Sequence, residues 1–427
     1  MAREYKDSGI EWIGRIPKEW KTERIKALFS ERNERDCQGK TLLSVSQYFG
    51  IRPKSETDLA DSHIAESYDD YKEVHKGDFV MNIMLAWNGS YAVSDYDGIV
   101  SPAYCVFKFR KDCCNKYFHY LLRTNGYPSA FKTMSRGVID SRLRLYPEQF
   151  YTFPVVIPPL AEQNRIADYL DEKCGEIDAL IALQEQMITQ LTDYKQSVIT
   201  EAVTKGLDPN ATLVPSGVDW IGDVPKGWIV CKLKYLCNYI KDGTHFSPNT
   251  ITDGYPYITA TDVRGLGIDY ANAKKVSEEV FLELQKAGCQ PHNGDILLVK
   301  DGATTGRVGM MIDDTECVLL SSVAMLSPNK RVTNKYLMYV LMSDFMQSQM
   351  KLSMAGAALP RITLTKLMNF NCLFSPLSEQ YAIVSYLDTK CSEIDTLISL
   401  KQQKIETLKD YKKSMIYECV TGKTDIT

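Results

Sequence analysis

Residues 8–20 read SGIEWIGRIPKEW, and residues 216–228 read SGVDWIGDVPKGW, so this segment occurs twice in the chain. A second segment also returns, because residues 159–163 (PLAEQ) reappear as 376–380 (PLSEQ). The repeat spans about half of the chain, far longer than the roughly 20 to 50 residues of solenoid repeats. The pattern therefore indicates a duplicated pair of domains, and two similar halves suggest a target with two parts.

Each half ends in a stretch that predicts one long amphipathic helix. Residues 161–204 contain no proline and one glycine, and residues 378–421 contain no proline. At 1.5 Å per residue each helix would be about 60 Å long. Apolar residues recur at helical spacing along both stretches: Ile166, Leu170, Ile177, Leu180, Ile181, Ile188, Leu191, Tyr194 and Val198 in the first, and Ile383, Leu387, Ile394, Leu397, Ile398, Ile405, Leu408, Tyr411 and Met415 in the second.

The middle of each predicted helix also shows a seven-residue period. It runs through Ile177, Gln184, Leu191 and Val198 in the first and through Ile394, Lys401, Leu408 and Met415 in the second. This period is typical of a coiled coil, so we expect the two helices to pack on each other in antiparallel fashion. Gln184 and Lys401 occupy the same step, where a polar residue either fixes the register or merely borders solvent, and the sequence leaves both readings open.

The segments that precede the helices, about 21–157 and 229–374, have short β-rich runs and frequent turns. We expect two mixed α/β globules in an α+β protein of pseudo-twofold arrangement, joined and separated by the two helices. The predicted boundaries are 1–157, 158–212, 213–374 and 375–427. Because the order of segments would be cyclic if the ends were joined, we expect the termini to lie close together, with residues 1–20 near the second helix and 213–228 near the first.

Composition excludes several classes of protein. The first residues are charged, and no uncharged run approaches the roughly 20 residues that span a bilayer, so we expect a cytoplasmic protein without a membrane segment. The 12 cysteines form no CxxC pair, and the five histidines lack metal-ligand spacing, so we expect reduced thiols and no metal site. A net charge of −4 is unusual for a protein that binds nucleic acid, unless partner proteins share the neutralisation of the phosphates.

Motifs of catalysis are missing from the sequence. It has neither the glycine-rich loop nor the Asn/Asp-Pro-Pro-aromatic motif of an adenine methyltransferase. Residues 39–41 and 422–424 (both GKT) imitate the end of a P-loop without its leading glycine, and no serine, cysteine and histidine grouping has triad spacing. Residues 171–173 and 388–390 resemble part of a nuclease metal site, but they fall inside the predicted helices. The chain therefore reads as a binding protein.

Three loops of the first globule are candidates for binding DNA, and ordinary surface turns with salt bridges are the alternative for each. They are residues 46–48, 87–91 and 136–144. Arginines could contact phosphates or pair with guanine, whereas amides suit adenine. The candidate residues are Gln47, Tyr48, Asn88, Ser90, Arg136, Arg142 and Arg144.

The second globule offers comparable stretches at residues 242–245, 259–262 and 300–307, with an arginine at 361. The candidates there are His245, Lys300, Thr304, Arg307 and Arg361, with Lys300 and Arg307 foremost. The loops of the two globules match in position but differ in content, since residues 87–90 (WNGS) face 304–307 (TTGR). The scaffold is duplicated while the candidate binding loops have diverged.

These features together resemble the DNA-specificity subunit of type I restriction-modification systems, over essentially the whole chain. The resemblance rests on the paired PLxEQ helix entries, the paired Trp-Ile-Gly blocks, and the stretches at 98–104 (GIVSPAY) and 242–245 (DGTH). The chain departs from an exact repeat at 320–323 (LSSV), where the first half has VSPA at 100–103. We therefore expect two target-recognition domains of different sequence classes.

The resemblance implies a non-enzymatic subunit that binds double-stranded DNA and holds two methyltransferase subunits and further restriction subunits. S-adenosylmethionine, ATP and Mg would then belong to those partners, with no cofactor in this chain. It implies an asymmetric two-part target, with the helix pair setting the spacing between the parts. Glu162, Gln163, Glu379 and Gln380 are candidates for the subunit interface, and helix capping is the alternative for them. The other functions considered are an autonomous methyltransferase or nuclease, and a coiled-coil scaffold that touches no DNA.

Overall fold

The computed structural model describes residues 3–35, 39–57, 68–110, 112–139, 142–218, 221–354 and 360–426. Asp140, Ser141, Asp219 and Trp220, which belong to the predicted binding loop and the second Trp-Ile-Gly block, lie outside these residues. The chain divides into two compact units: unit 1 comprises residues 1–184 and 403–427, and unit 2 comprises 185–402. Each unit contains part of both long helices, so the two units do not coincide with the four predicted segments. Those segments stay a prediction from the sequence.

Unit 1 contains twelve strands and three short helices among its described residues, before the first long helix. In order they are β1 (Tyr5–Asp7), β2 (Arg15–Pro17), β3 (Lys21–Arg24), β4 (Phe29–Arg32), β5 (Leu43–Ser46), β6 (Gly50–Pro53), β7 (Lys72–Val74), β8 (Phe79–Asn82), β9 (Tyr91–Val93), β10 (Gly98–Val100), β11 (Tyr104–Phe109), α1 (Asn115–Leu122), α2 (Gly126–Met134), α3 (Pro147–Phe150) and β12 (Pro154–Ile157). The long helix α4 spans Leu160–Lys205.

Unit 2 repeats this plan with an added helix and several short strands. Its elements are β13 (Leu213–Pro215), β14 (Asp223–Pro225), β15 (Ile229–Lys232), β16 (Cys237–Asp242), β17 (Tyr255–Ile258), β18 (Val263–Arg264), β19 (Gly267–Ile268), β20 (Lys274–Val276), α5 (Glu278–Lys286), β21 (Ile296–Val299), β22 (Val308–Met310), β23 (Val318–Leu319), β24 (Val323–Pro328), α6 (Asn334–Met342), α7 (Asp344–Ser353), α8 (Leu364–Met368), β25 (Asn371–Phe374) and the long helix α9 (Leu377–Val420).

A four-stranded antiparallel sheet forms the centre of each unit, in the order β4-β11-β8-β9 in unit 1 and β16-β24-β21-β22 in unit 2. Successive side chains of a strand point to opposite faces. In β8, Phe79 and Met81 therefore enter the large aromatic core under the helices, while Val80 joins a smaller core on the other face. In β21, Leu298 and Leu297 divide between two cores in the same way. Because both faces are covered, these strands are apolar except for Asn82 at the end of β8, and they show no polar alternation.

The two long helices confirm the sequence prediction to within one residue at each end. In unit 1 the Lys412 ammonium lies 2.7 Å from the Asp178 carboxylate, and in unit 2 Lys195 lies 2.7 Å from Asp395. Several heptad positions are buried: Ile177, Val198, Ile394, Leu408 and Met415. Four other positions of the apolar pattern are exposed in the structure: Leu180, Tyr194, Leu397 and Tyr411.

The predicted closeness of the termini is confirmed within unit 1. The Arg3 guanidinium lies 3.3 Å from the Asp425 carboxylate, and the Lys423 ammonium donates to the Ile13 carbonyl at 2.7 Å. In unit 2 the equivalent segment continues from α4, and Trp228 packs in the core with Ala202 and Val203. None of the helices among the described residues is long and apolar enough to cross a lipid bilayer. The cysteines among the described residues are free thiols, and most are buried.

Candidate nucleic-acid interface

The start of each long helix is tied to the Trp-Ile-Gly segment by the same hydrogen bond. The Trp20 indole donates to the Glu162 carboxylate at 2.9 Å, and the Trp228 indole donates to Glu379 at 2.9 Å. Trp20 is fully buried and Glu162 is 7% exposed, whereas Glu379 is exposed. These contacts give the two glutamates a role within their units, and docking of partner subunits on them stays a prediction.

Gln163 and Gln380 are also buried, and each bridges backbone groups on both sides of the helix start. The Gln163 amide donates to the Pro158 carbonyl at 2.8 Å and accepts from the Cys114 N–H at 3.0 Å. The Gln380 amide donates to the Ser375 carbonyl at 2.8 Å and accepts from the Thr333 N–H at 2.8 Å. The repeated glutamine thus fixes where α1 and α6 begin against the long helices.

In unit 1 the structure brings Gln47, Tyr48 and Asn88 to one surface depression of 490 Å³. Gln47 and Tyr48 lie in the turn between β5 and β6, and Asn88 lies in the 87–90 turn that precedes β9. Tyr48 is 85% exposed. Ser90 lies beside this group, because its hydroxyl donates to the Asn88 side-chain oxygen at 2.8 Å. Aromatic and amide groups of this kind can stack on bases or bond to their edges. Ser90 is only 3% exposed, so its hydroxyl serves to orient the Asn88 amide.

The arginine loop of unit 1 is attached to the same turn. Arg136 and Arg144 exchange backbone hydrogen bonds of 2.9 Å in both directions, so the loop between them closes as a hairpin. The Leu145 N–H donates to the Ile83 carbonyl at the end of β8, and the Lys132 ammonium lies 5.0 Å from the centre of the Trp87 ring. Arg142 is exposed on this hairpin. The loop therefore adds positive charge beside the depression that holds Gln47 and Asn88.

A larger cavity of 1050 Å³ in unit 1 is lined by several basic side chains and two carboxylates. Asp171 accepts from the Lys116 ammonium and from the Tyr120 hydroxyl, and Asp178 pairs with Lys412. His119 also lines this cavity, and its Nδ1 accepts the Val93 N–H at 3.3 Å. Burial lowers the pKa of His119 to about 3, so the imidazole is neutral at ordinary pH. The basic lining residues are Arg52, Arg123, Lys409, Lys412 and Lys413.

In unit 2 the predicted residues form a chain of ion pairs. Lys300 is 2% exposed, and its ammonium lies 3.0 Å from Asp301 and 3.3 Å from Asp242. Asp301 in turn lies 3.3 Å from the Arg361 guanidinium, which is mostly exposed. His245 lies 3.5 Å from the Asp242 carboxylate at the other end and is also exposed. The structure therefore gives Lys300 an internal role, and the groups at the surface are His245 and Arg361.

Thr304 and Arg307 belong to the 304–307 turn of unit 2, which corresponds to the 87–90 turn of unit 1. The Thr304 hydroxyl donates to the Ala260 carbonyl at 3.4 Å, and Arg307 donates to the Val263 carbonyl at 3.3 Å. The two side chains thus connect this turn to the 259–262 loop and to the start of β18. Arg307 remains exposed.

One group of possible metal ligands lies apart from these loops within the described residues. A carboxylate oxygen of Glu34, one of Glu73 and a ring nitrogen of His75 lie within 4.8 Å of one another. Arg32 already contacts Glu34 at 2.6 Å, and Lys40 contacts Glu73 at 2.6 Å. These cations balance the carboxylates, so the group reads as an ion-pair network.

Sequence reasoning missed two residues that hold the candidate turns. Arg123 follows α1 and donates to the Gly89 carbonyl, and Gln347 in α7 donates to the Gly306 carbonyl. Gly89 and Gly306 are recognisable as equivalents in the repeat. Arg123 and Gln347 come from different helices, however, so no sequence pattern points to them.

Comparison with known proteins assigns the chain to a family. The model of the type I restriction modification DNA specificity domain matches residues 17–193 and again 225–410. The MjaVIII specificity subunit of Methanocaldococcus jannaschii is 24% identical over 433 residues, which cover 96% of this chain and 94% of that protein. The EcoBI specificity subunit of Escherichia coli is 24% identical, over 76% of this chain and 69% of that protein.

Solved structures show the same fold. A chain from a structure that describes complex assembly and conformational transition of the type I R-M system matches with a TM-score of 0.69 at 18% identity, covering 96% of this chain and 99% of that one. The HsdS subunit from Thermoanaerobacter tengcongensis matches with a TM-score of 0.50 at 18% identity, covering 96% and 98%. The resemblance drawn from the sequence is thereby confirmed. The chain belongs to the DNA-specificity subunits of type I restriction-modification systems, and it carries the family's domain twice.

Proposed function

We propose that each unit reads one part of an asymmetric two-part DNA target, so that the chain directs partner subunits to that target. The observation that carries this proposal is the contrast between a repeated scaffold and unlike loops. The Trp-Glu bond recurs in both units, whereas Asn88 and Ser90 stand where the other unit has Thr305 and Arg307. Two equivalent frames with different side chains suit two different base sequences.

The proposed contacts in unit 1 divide by chemistry. Gln47 and Asn88 are the amides that could pair with adenine edges, and Tyr48 offers an exposed ring. Arg136, Arg142 and Arg144 supply charge for phosphates or guanine. In unit 2 we propose that Arg361, Arg307, Thr304 and His245 face the DNA, while Lys300 acts through Asp301 by fixing the carboxylate that orients Arg361.

We further propose that α4 and α9 pair as an antiparallel coiled coil that sets the spacing between the two parts of the target. Two equivalent ion pairs support this pairing, Asp178 with Lys412 in unit 1 and Asp395 with Lys195 in unit 2. The half-buried Gln184 and Lys401 occupy the same step of the seam, which suits a register-fixing role. A pseudo-twofold arrangement remains a prediction from the repeat.

Two methyltransferase subunits, and through them restriction subunits, are the partners we propose. Exposed apolar side chains support this, because they recur at equivalent positions of the long helices: Leu180 and Leu183 on α4, and Leu397 and Leu400 on α9. Two equal patches suit two copies of one partner. The chain itself would be non-catalytic, with S-adenosylmethionine, ATP and Mg bound by the partners. Shared phosphate neutralisation by those partners would also account for the net charge of −4.

The experiment is to co-express this chain with the methyltransferase subunit proposed as its partner, in a host without DNA methylation, and to map modified adenines by long-read sequencing. The expected result is a new two-part motif that disappears when this chain is left out. The matched variants are Asn88→Ala and Arg361→Ala, which should each relax a different part of the motif. An absence of modification, with the two proteins soluble and associated, would instead favour a scaffold that does not read DNA.

A further inference from the structure

The same backbone carbonyl is held in both units, although different residues hold it. In unit 1 the Gly89 carbonyl accepts from the Arg123 guanidinium at 3.3 Å. In unit 2 the Gly306 carbonyl accepts from the Gln347 amide at 2.9 Å. Gly89 and Gly306 are equivalent in the repeat, and their φ angles of +93° and +95° give both turns the left-handed conformation that favours glycine.

Arg123 ties two candidate binding turns together. Its Nη1 also donates to the Tyr91 carbonyl at 2.7 Å, and its Nη2 donates to the Gln47 carbonyl. Among the described residues, these hydrogen bonds all go to carbonyls, and burial lowers the pKa of the guanidinium. Such a cation is costly to bury without a carboxylate partner, so a structural requirement of the turns has to offset that cost.

Gln347, in α7, holds the corresponding turn of unit 2 through hydrogen bonds to backbone carbonyls. Its amide also donates to the Leu341 carbonyl at 2.8 Å, so it joins the 304–307 turn to the end of α6. A Cβ added at Gly306 would lie 2.7 Å from the Gln347 side-chain oxygen, which shows how closely the amide approaches the turn. The residue of unit 2 that matches Arg123 is Met342, which has no donor to offer in its side chain.

We infer that Arg123 and Gln347 are positioning residues for target reading, each serving the turn of its own unit. This inference rests on the proposed function, since it assigns how the reading turns are held. The carbonyl of Gly89 is flanked by Asn88 and Ser90, and that of Gly306 is flanked by Thr305 and Arg307. Anchoring the carbonyl fixes the direction of these side chains, and base discrimination depends on that direction.

The test uses the purified complex of the full chain with its methyltransferase and duplexes that carry the target motif or a single-base substitution in one part. The ratio of dissociation constants for substituted and matched duplexes measures discrimination at each part. Arg123→Met, which installs the residue found at the matching position of unit 2, should lower discrimination at the first part by about tenfold. Gln347→Met should do so at the second part, and each variant should leave the other part unchanged.

Two further variants keep the test decisive. Lys116→Met removes a cation from α1 that pairs with Asp171 and makes no contact with the 87–90 turn in the described structure. Discrimination at the first part should therefore not change. Arg123→Lys retains a donor and should restore part of the discrimination. The slope of log affinity against log salt should be unchanged in Arg123→Met, because a positioning residue neutralises no phosphate.

Three outcomes would overturn the inference. One is unchanged discrimination in both Arg123→Met and Gln347→Met. Another is an equal loss at both parts, which indicates general destabilisation. The last is a salt slope that falls by about one in Arg123→Met, since that identifies a phosphate contact. A wild-type complex that shows no two-part target would refute the proposed function itself, which separates the two failures.

Discussion

Replacing Glu162 by alanine should destabilise unit 1 more than the equivalent Glu379→Ala destabilises unit 2. The Glu162 carboxylate accepts from the Trp20 indole at 2.9 Å and from the Arg3 guanidinium at 2.6 Å. Among the described residues, Glu379 accepts a side-chain hydrogen bond from Trp228 alone, and the residue that matches Arg3 in the repeat is Ala211. The same substitution thus removes two partners in one unit and one in the other.

The expected magnitudes follow from burial. A buried donor left without its acceptor costs about 1 to 3 kcal/mol, and Trp20 is fully buried. Loss of one partner from a buried ion pair costs about 3 to 5 kcal/mol, but Arg3 keeps Glu19 at 2.6 Å and is partly exposed, so only part of that applies. We expect a total of about 2 to 4 kcal/mol for Glu162→Ala. Glu379 is exposed, so water can replace it and Glu379→Ala should cost about 1 kcal/mol.

Native-state hydrogen exchange, read by mass spectrometry, is the appropriate assay because two units need not unfold in one transition. Peptides around Trp20 and Trp228 report on the two units separately. Glu162→Gln is the matched control, since it keeps an oxygen for the indole while removing the charge, and it should lose less than Glu162→Ala. Equal losses in Glu162→Ala and Glu379→Ala would refute the reasoning.

Three other predictions concern the helices, the cavity and the binding turn. Lys412→Ala should lower the free energy of unfolding by at most about 1 kcal/mol in a double-mutant cycle with Asp178, and the effect should shrink in high salt, because the pair is partly exposed. Since the pKa of His119 is about 3 in the folded chain and about 6.5 when unfolded, the unfolded state binds more protons between these values. The free energy of unfolding should fall by up to about 1.4 kcal/mol per pH unit as the pH drops through this window. His119→Met, which installs the residue found at the matching position 338 of unit 2, should flatten this pH dependence when urea unfolding is measured at pH 4 to 6. An unchanged dependence on pH would contradict the burial argument. Asn88→Ala should lower discrimination at the first part of the target by about tenfold in duplex binding, with the second part unaffected, and an equal loss at both parts would count against separate reading.

The long helices were predictable because their signal is local. Residues 161–204 contain no proline and follow a helical period, and the helix runs from Leu160 to Lys205. The same pattern could not tell which apolar residues are covered by this chain. Leu180 and Leu397 fit the period yet are exposed, since periodicity records an apolar position without identifying its contact.

The candidate site was predictable only by residue type. Gln47 and Asn88 were chosen as amides in loops, and the fold brings them to one depression. Lys300 was chosen as a cation, but it is buried and pairs with Asp242, which is far away in the sequence, a contact that no local pattern encodes. Arg123 escaped notice because its acceptors are backbone carbonyls, which have no sequence signature.

The most direct test of separate reading by the two units is to replace residues 229–374 by a second copy of residues 21–157 and to map modified adenines with the methyltransferase partner present. Both segments lie between the repeated Trp-Ile-Gly and PLxEQ motifs, so the exchange preserves the frame. We expect a motif in which the first part of the wild-type target occurs twice and the second part is absent. A motif that retains the wild-type second part would contradict the assignment of one part of the target to each unit.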